Sequence, residues 1–149
     1  QFYKQHDDTR LVHYEGGCQN PEYRDRIPDF ESRMYLPPKD VEEYLKNNPD
    51  KPFMECEYMH SMGNSVGGMQ AYVDLIKKYP VYCGGFIWDF IDQAIQVTDP
   101  VTGRLVMRYG GDFDDRHTDA DFSGDGLMFA NRVPKPAMQE VKYYYGQLK

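Results

Sequence analysis

The chain has 149 residues, 40% of them hydrophobic and 28% charged, which is the size and composition of one globular domain rather than of a disordered or fibrous chain. Its formal net charge of −7 argues against nucleic-acid binding, because neutralising phosphates requires a basic patch. Three cysteines without a C-x-x-C pair argue against a disulfide framework or a zinc site, and no apolar run is long enough to cross a membrane.

Aromatic residues are unusually frequent, at 15% of the chain, and most of them are tyrosines. A tyrosine ring packs on the C–H groups of a sugar while its hydroxyl forms hydrogen bonds, so this composition suits a sugar site. A tyrosine-rich core or interface explains it equally well. The unpaired cysteines favour a reducing compartment, and we expect a cytoplasmic location.

The first third of the chain predicts two short strands and a helix. Residues 11–15 form a β-like run that ends at two glycines, residues 21–31 predict a loop, and residues 33–36 predict a second strand. Asp40 is the predicted cap of the helix that follows, with Glu43 as its capping-box partner.

The middle of the chain has the strongest patterns. Residues 53–57 predict a strand that ends in a carboxylate, and residues 65–79 have the apolar spacing of the clearest helix. Residues 84–90 are apolar on both faces, as in a buried parallel strand. Residues 95–97 and 104–107 flank a turn and predict a hairpin.

A Gly/Asp-rich loop is predicted for residues 110–126, and the last helix is predicted to start near Pro136. The order amounts to about four consecutive βα units, so the predicted fold class is α/β. An eight-stranded (β/α) barrel needs about twice as many units. A small doubly wound sheet can use four strands, but no Gly-rich phosphate loop follows the first one.

Glu57 is the first candidate for chemistry. A carboxylate at the end of a buried strand is where (β/α) barrels build active sites, and it can act as nucleophile or acid/base on a sugar. Glu55 lies two positions earlier, so strand alternation places both side chains on one side. Purely structural roles are also open for these residues. One of the two carboxylates can pair with an Arg or Lys, His60 can cap the next helix, and Trp88 can pack in the core.

Six aspartates lie between residues 112 and 126. From Asp119 the sequence begins like an EF-hand calcium loop, but its twelfth position is Ala130, where that motif requires Glu, and no helix precedes it. The loop therefore predicts no EF-hand. A monovalent or solvated cation held by one or two of these oxygens remains an option.

Six segments resemble the bacterial β-galactosidases of glycoside hydrolase family 2. They are residues 13–17, 34–35, 56–68, 84–93, 109–113 and 126–132. They follow the order and spacing of that family and cover nearly the whole chain. The most specific are Cys-Glu-Tyr-x-His-x-Met-Gly-Asn from Cys56 and Gly-Gly-Phe-x-Trp-Asp from Gly84. The β-glucuronidases of the same clan look different around their nucleophile.

The resemblance implies a TIM barrel. It assigns residues 1–149 to one partial catalytic domain, the C-terminal half of the (β/α)8 barrel from the end of helix four to helix eight. It implies hydrolysis of terminal β-D-galactosides such as lactose, with retention of configuration. The acid/base Glu of the family is expected upstream of this chain, so the isolated chain is expected to be inactive or nearly so.

The resemblance also assigns roles to residues. Glu57 is the implied nucleophile, Tyr35 positions it, and His60 holds galactose hydroxyls and helps to stabilise the transition state. The implied substrate-binding residues are Trp88, which forms the floor under the galactose ring, Asn64 and Asp112.

For cations, the resemblance implies a sodium site formed by the carbonyl of Phe122 and the side chain of Asp125, where the family carries Asn. Magnesium is expected in the parent enzyme, with ligands upstream of this chain. The expected partners are a β-galactoside and the rest of the barrel, supplied by a complementing chain or a second copy, because half a barrel leaves two sheet edges unpaired. Neither nucleic acid nor a membrane is expected. An alternative from another class is a non-catalytic acidic carbohydrate- or cation-binding module in which Glu57 is structural.

Overall fold

A computed structural model of the chain describes residues 2–148. These residues form two compact units with mixed α/β structure. The first unit comprises residues 2–58, residues 70–86 and Leu148, and the second comprises residues 59–69 and 87–147. Every helix among the described residues is too short or too polar to cross a lipid bilayer.

Three short helices precede the first strand: α1 (Phe2–His6), α2 (Glu15–Cys18) and α3 (Pro21–Arg24). The strand predicted for residues 11–15 is wrong. Leu11 is 70% exposed, so this apolar run has no buried face to hold it in a sheet. The loop predicted for residues 21–31 is also wrong in part, because the Asn20 side chain accepts a hydrogen bond from the Glu22 N–H and caps α3.

The first unit is built on a parallel sheet. Its strands lie side by side in chain order: β1 (Glu31–Met34), β2 (Phe53–Glu57) and β3 (Tyr82–Gly85). Helix α4 (Pro38–Lys46) connects the first two strands, and α5 (Met69–Lys78) connects the last two. Parallel strands joined in order by helices are the repeating unit of a (β/α) barrel. Residues 2–148 contain three such strands, where four were predicted.

The predicted bounds of β2 are confirmed, and those of its neighbours are shifted. Strand β1 begins two residues before the predicted 33–36, and β3 occupies 82–85 rather than 84–90. Helix α5 begins four residues later than predicted. Gly68 has φ +74°, which no residue inside a right-handed helix adopts, so the helix cannot extend back through it.

Helix α4 buries the apolar stripe that its sequence predicts, with Val41 and Leu45 both buried. Its predicted cap is wrong. Asp40 lies in the first turn, and Pro37 occupies the N-cap without a side-chain hydrogen bond. A proline at the first helical position, here Pro38, starts the helix because its fixed φ is already helical.

The second unit contains the predicted hairpin and the last helix. Strands β4 (Ile95–Thr98) and β5 (Leu105–Arg108) pair antiparallel, and α6 (Ala137–Tyr145) follows a long stretch of turns. The predicted loop at residues 110–126 is confirmed. The buried core of this unit is formed by Met69, Leu127 and Val141, with Met59, Val66, Ile87, Ala137, Met138 and Tyr144 packed around it.

Candidate active site

Tyr35 and Glu57 meet at the carboxyl ends of β1 and β2. The Tyr35 hydroxyl donates a hydrogen bond to Glu57 Oε2 at 2.6 Å, and the Tyr35 N–H donates to the Glu57 carbonyl at 2.7 Å. Met34 is the register partner of Glu57, so the residue after β1 is delivered directly to this carboxylate. The structure therefore brings together the first two residues of the predicted site.

A β-bulge separates Glu57 from Glu55. Arg33 pairs with Glu55 and Met34 pairs with Glu57, which leaves Cys56 as an extra residue in β2. The expectation that both carboxylates share one side assumed regular alternation, and the bulge interrupts that alternation. Their partners differ accordingly, since Glu55 has its own hydrogen bonds in the interior.

Glu55 is fully buried. Its Oε1 accepts a hydrogen bond from the Leu36 N–H at 3.0 Å, and its Oε2 accepts one from the Tyr82 hydroxyl at 2.6 Å. Burial raises the pKa of Glu55 from 4.5 to about 7, against the opposing effect of these two hydrogen bonds. The Glu55 carboxylate raises the pKa of Tyr82 in turn, after the larger effect of burial.

Three residues of the predicted site meet in the second unit. His60 and Trp88 form a parallel β-bridge, and Trp88 Nε1 donates a hydrogen bond to Asp125 Oδ2 at 2.8 Å. His60 Nε2 lies 3.8 Å from the same oxygen. The Phe122 ring centre lies 5.1 Å from the His60 ring centre. An indole, an imidazole and a carboxylate thus share one corner, which combines an aromatic face with a few placed polar groups, as ligand sites commonly do.

Asp125 is fully buried, and one of its two carboxylate oxygens accepts no hydrogen bond from residues 2–148. Its main-chain carbonyl accepts hydrogen bonds from the Ser61 hydroxyl at 2.6 Å and the Asp89 N–H at 2.7 Å. Its Oδ1 is buried and has no hydrogen-bond partner within residues 2–148. A buried oxygen of this kind suits a cation that prefers oxygen ligands. In the same residues, no group of three or more His, Cys, Asp or Glu side chains can hold a metal ion.

The two remaining predicted residues lie elsewhere in the second unit. Asn64 lines a cleft of 570 Å³ together with Ser61, Asp92 and Lys135. Asp112 is exposed, and its Oδ2 accepts a hydrogen bond from the Tyr109 N–H at 3.0 Å. The structure therefore places Asp112 on a surface turn that its own carboxylate closes.

Comparison with known proteins identifies the family of this chain. Residues 1–149 match the sequence profile described as "Glycosyl hydrolases family 2, TIM barrel domain". The chain belongs to glycoside hydrolase family 2. It is 72% identical over 146 residues to the "Beta-galactosidase large subunit" of Lactobacillus helveticus, and 70% identical over 146 residues to the protein of the same name from Lactobacillus acidophilus. Each alignment covers 98% of this chain, and the chain spans 23% of the length of each relative.

The family 2 fold is also visible in solved structures. The β-D-glucuronidase of Dictyoglomus thermophilum matches with a TM-score of 0.56 at 15% identity, covering 98% of this chain and 27% of that chain. At this identity the likeness supports the fold alone. The predicted α/β barrel class is confirmed.

The sequence reasoning missed two residues that border the cleft of this family 2 chain. Lys135 Nζ contacts Asp92 Oδ1 at 2.6 Å and the Gly124 carbonyl at 3.0 Å. Asp92 Oδ1 also accepts a hydrogen bond from the Gly126 N–H at 2.8 Å. The available signals were a lysine between two prolines and an aspartate just after the Trp-Asp segment, and neither one alone indicates an ion pair.

Proposed function

We propose that this chain carries the nucleophile of a retaining β-galactosidase, with Glu57 attacking the anomeric carbon of a terminal β-D-galactoside. The observation that carries the proposal is the 2.6 Å hydrogen bond from Tyr35 to Glu57 at the end of a barrel strand. High identity to relatives named β-galactosidase supports the choice of sugar.

The reaction has two displacements. A Glu57 oxygen bonds to the anomeric carbon while the bond from that carbon to the leaving-group oxygen breaks, and a second carboxylic acid protonates that oxygen. Water, deprotonated by the same group, then cleaves the glycosyl ester and restores the original configuration. We assign the second carboxyl to the remainder of the enzyme. Losing leaving-group protonation costs about 10²–10⁴-fold, so the isolated chain is expected to be inactive or nearly so.

The Tyr35 hydroxyl has a defined task in this mechanism. It holds one carboxylate oxygen of Glu57, so that the other oxygen is aimed at the sugar. Two contacts from Tyr35, one to the backbone and one to the side chain, restrict how Glu57 can turn. This preorganisation lowers the cost of reaching the transition state.

His60, Trp88 and Asp125 suit the sugar ring. The Trp88 face packs on C–H groups while its N–H is anchored by Asp125, and His60 serves the galactose hydroxyls. A sodium ion at this corner would be held by Asp125 Oδ1 and the Phe122 carbonyl, where it would offer the sugar an electrophilic contact. We place the magnesium ion of the family in the remainder of the enzyme.

The half barrel formed by this chain also needs the remaining strands of the barrel. The two Lactobacillus relatives are named large subunits. We propose that the strands of this chain are completed by the rest of the barrel and that the enzyme includes a further subunit. The complete enzyme, meaning the protein in which residues 1–149 are joined to the rest of the barrel, is therefore the material for every test below.

The test is to trap the glycosyl-enzyme. A 2-deoxy-2-fluoro-β-galactoside with a good leaving group is incubated with the complete enzyme, and the labelled peptide is identified by mass spectrometry. We expect the label on Glu57. Glu57→Gln should lower kcat by roughly 10³-fold or more while retaining galactose binding. The control Glu43→Gln changes an exposed carboxylate of α4 and should leave turnover unchanged.

Two results would contradict the proposal. A label on another carboxylate would move the nucleophile elsewhere. Normal turnover in Glu57→Gln, with galactose binding intact, would favour the alternative of a carbohydrate- or cation-binding segment in which this glutamate is structural.

A further inference from the structure

Glu55 is a buried acidic group that the mechanism above leaves without a task. It lies two residues before Glu57 on β2 and is fully buried. Burying a carboxylate is unfavourable unless hydrogen bonds compensate for the lost water. Both of its oxygens are engaged, one by Leu36 and one by Tyr82. Because burying the group is unfavourable, we infer that its hydrogen bonds have a role, which is to hold one of these two partners in place.

The partner that must be held in place is Leu36. Leu36 directly follows Tyr35, which has φ +54°. A tyrosine adopts this left-handed conformation only where the surroundings impose it. The peptide before Tyr35 is fixed by its N–H bond to the Glu57 carbonyl, and the peptide after it is fixed by the Leu36 N–H bond to Glu55 Oε1. The Tyr72 hydroxyl further holds the Leu36 carbonyl at 3.1 Å.

We infer that Glu55 is a positioning residue of this active site, whose carboxyl group holds the Tyr35–Leu36 turn so that the Tyr35 hydroxyl meets Glu57. The inference rests on the proposed function of Glu57 as nucleophile. It connects a carboxyl group in the interior to the catalytic carboxylate through one turn of backbone. Glu55 itself touches no substrate and acts only through Tyr35.

The ionisation of Glu55 makes its proposed role measurable as a pH dependence of kcat. The ionisable groups that face it are the hydroxyls of Tyr82 on β3 and Tyr72 on α5, and Tyr58 lies next to both. With its pKa raised to about 7, Glu55 changes charge within the pH range of the kinetics described next. The Leu36 N–H bonds more strongly to the ionised carboxylate than to the acid. The turn is therefore held more firmly above pH 7 than below it.

A double-mutant cycle with Tyr35 is the test. In the complete enzyme, kcat and KM for an aryl β-galactoside are measured for Glu55→Gln, Tyr35→Phe and the double variant across pH 5.5–8.5. Glu55→Gln keeps the shape of the side chain and should lower kcat by about 10-fold with little change in KM. In the Tyr35→Phe background the same change should alter kcat by less than about twofold, because both residues act through one hydroxyl.

Tyr82→Phe is the matched control. It removes the other hydrogen bond of Glu55 and leaves the bond to Leu36 in place. We expect a smaller kcat loss than in Glu55→Gln, and we expect only Glu55→Gln to remove an ionisation near pH 7 from the kcat profile. Losses for Glu55→Gln and Tyr35→Phe that multiply independently, or an equal loss in Tyr82→Phe, would overturn the inference and assign Glu55 to the core.

The labelling experiment separates this inference from the proposed function. If the fluorosugar labels Glu57 and the cycle is multiplicative, the positioning role of Glu55 alone fails. If Glu57→Gln turns over normally, the proposed function fails and the inference fails with it.

Discussion

The Tyr35 hydroxyl lies 2.6 Å from Glu57 Oε2, and the N–H of the same tyrosine lies 2.7 Å from the Glu57 carbonyl. One residue therefore fixes both the backbone and the carboxylate of the other. Tyr35 is the residue directly after β1 and has a left-handed φ of +54°, so the chain leaves the extended conformation where this double contact is made.

Tyr35→Phe should slow the enzyme without unfolding it. A hydrogen bond to a charged group contributes about 1.5–3 kcal/mol, which corresponds to a loss in kcat of about 10- to 100-fold. Tyr35 is 39% exposed, so removing its hydroxyl leaves no buried group unsatisfied. Steady-state kinetics and the melting temperature of the complete enzyme measure both effects. Tyr3→Phe, at a tyrosine that is 72% exposed, is the control. A rise in KM at constant kcat would contradict the role of Tyr35.

The elements that the sequence predicted correctly are those whose structure depends on neighbouring residues in the chain. The apolar run of β2 has its predicted bounds, and the turn around Asp99 produces the predicted hairpin, because Asp99 accepts hydrogen bonds from the N–H groups of Val101 and Thr102. The failed strand at residues 11–15 has the same local pattern as a true strand. Only its lack of a sheet partner distinguishes it.

The site could be predicted only in part, for the same reason. The family resemblance named Glu57, Tyr35 and Trp88, but the bulge at Cys56 depends on the register between two strands that are separated by a helix. The bond from Trp88 to Asp125 spans 37 residues. Composition and periodicity carry no information at that separation, so these contacts are defined only by the folded structure.

Glu55 should make stability fall as the pH rises from about 4.5 to 7. Its folded-state pKa of about 7 lies above its ordinary value of 4.5, so the folded state holds this proton more tightly than the unfolded state does. Deprotonation above pH 4.5 therefore favours unfolding, by about 3 kcal/mol once pH 7 is passed.

Thermal unfolding of the complete enzyme at pH 5, 6, 7 and 8 measures this effect. Glu55→Gln has no proton to lose, so its melting temperature should decline less over this range. The difference between the variant and the natural protein should therefore shift in favour of the variant as the pH rises. Parallel curves for the two proteins would show that Glu55 ionises at an ordinary pKa.

Asp125→Ala should weaken both sugar binding and the response to sodium. The change removes the acceptor of the Trp88 N–H and the buried Oδ1. We expect KM to rise by about 10-fold, since a charge-assisted hydrogen bond is lost and the indole is no longer held. Assays in sodium chloride and choline chloride at equal ionic strength measure the sodium effect. Asp121→Ala, at an exposed position of the same loop, is the control, and an unchanged sodium response in Asp125→Ala would rule out this site.

Lys135→Met should destabilise the second unit. Lys135 and Asp92 have side chains that are only 13% and 12% exposed, so removing the ammonium group leaves a largely buried carboxylate without its counter-charge. Breaking such a pair lowers the free energy of unfolding by about 3 kcal/mol. Lys46→Met provides the contrast, because its ion pair with Glu42 is more exposed and should contribute far less. Equal shifts in the melting temperatures of the two variants would show that the Lys135–Asp92 pair is not effectively buried.

Gly126→Ala should be the most damaging small substitution near the site. A β-carbon at Gly126 would overlap backbone atoms of Ile91 and Asp92, which cannot move aside as a flexible side chain can. Overpacking a core costs about 1–3 kcal/mol and occasionally more, and here the obstructing atoms belong to the backbone, so we expect a loss at the upper end of this range, about 3 kcal/mol. The displaced chain includes the neighbouring Asp125, so galactoside binding should weaken in whatever protein still folds. Gly67→Ala, where an added β-carbon meets nothing within 4 Å, should retain a normal melting temperature and normal kinetics. A stable and fully active Gly126→Ala enzyme would show that the close approach of these two segments is not needed for the site.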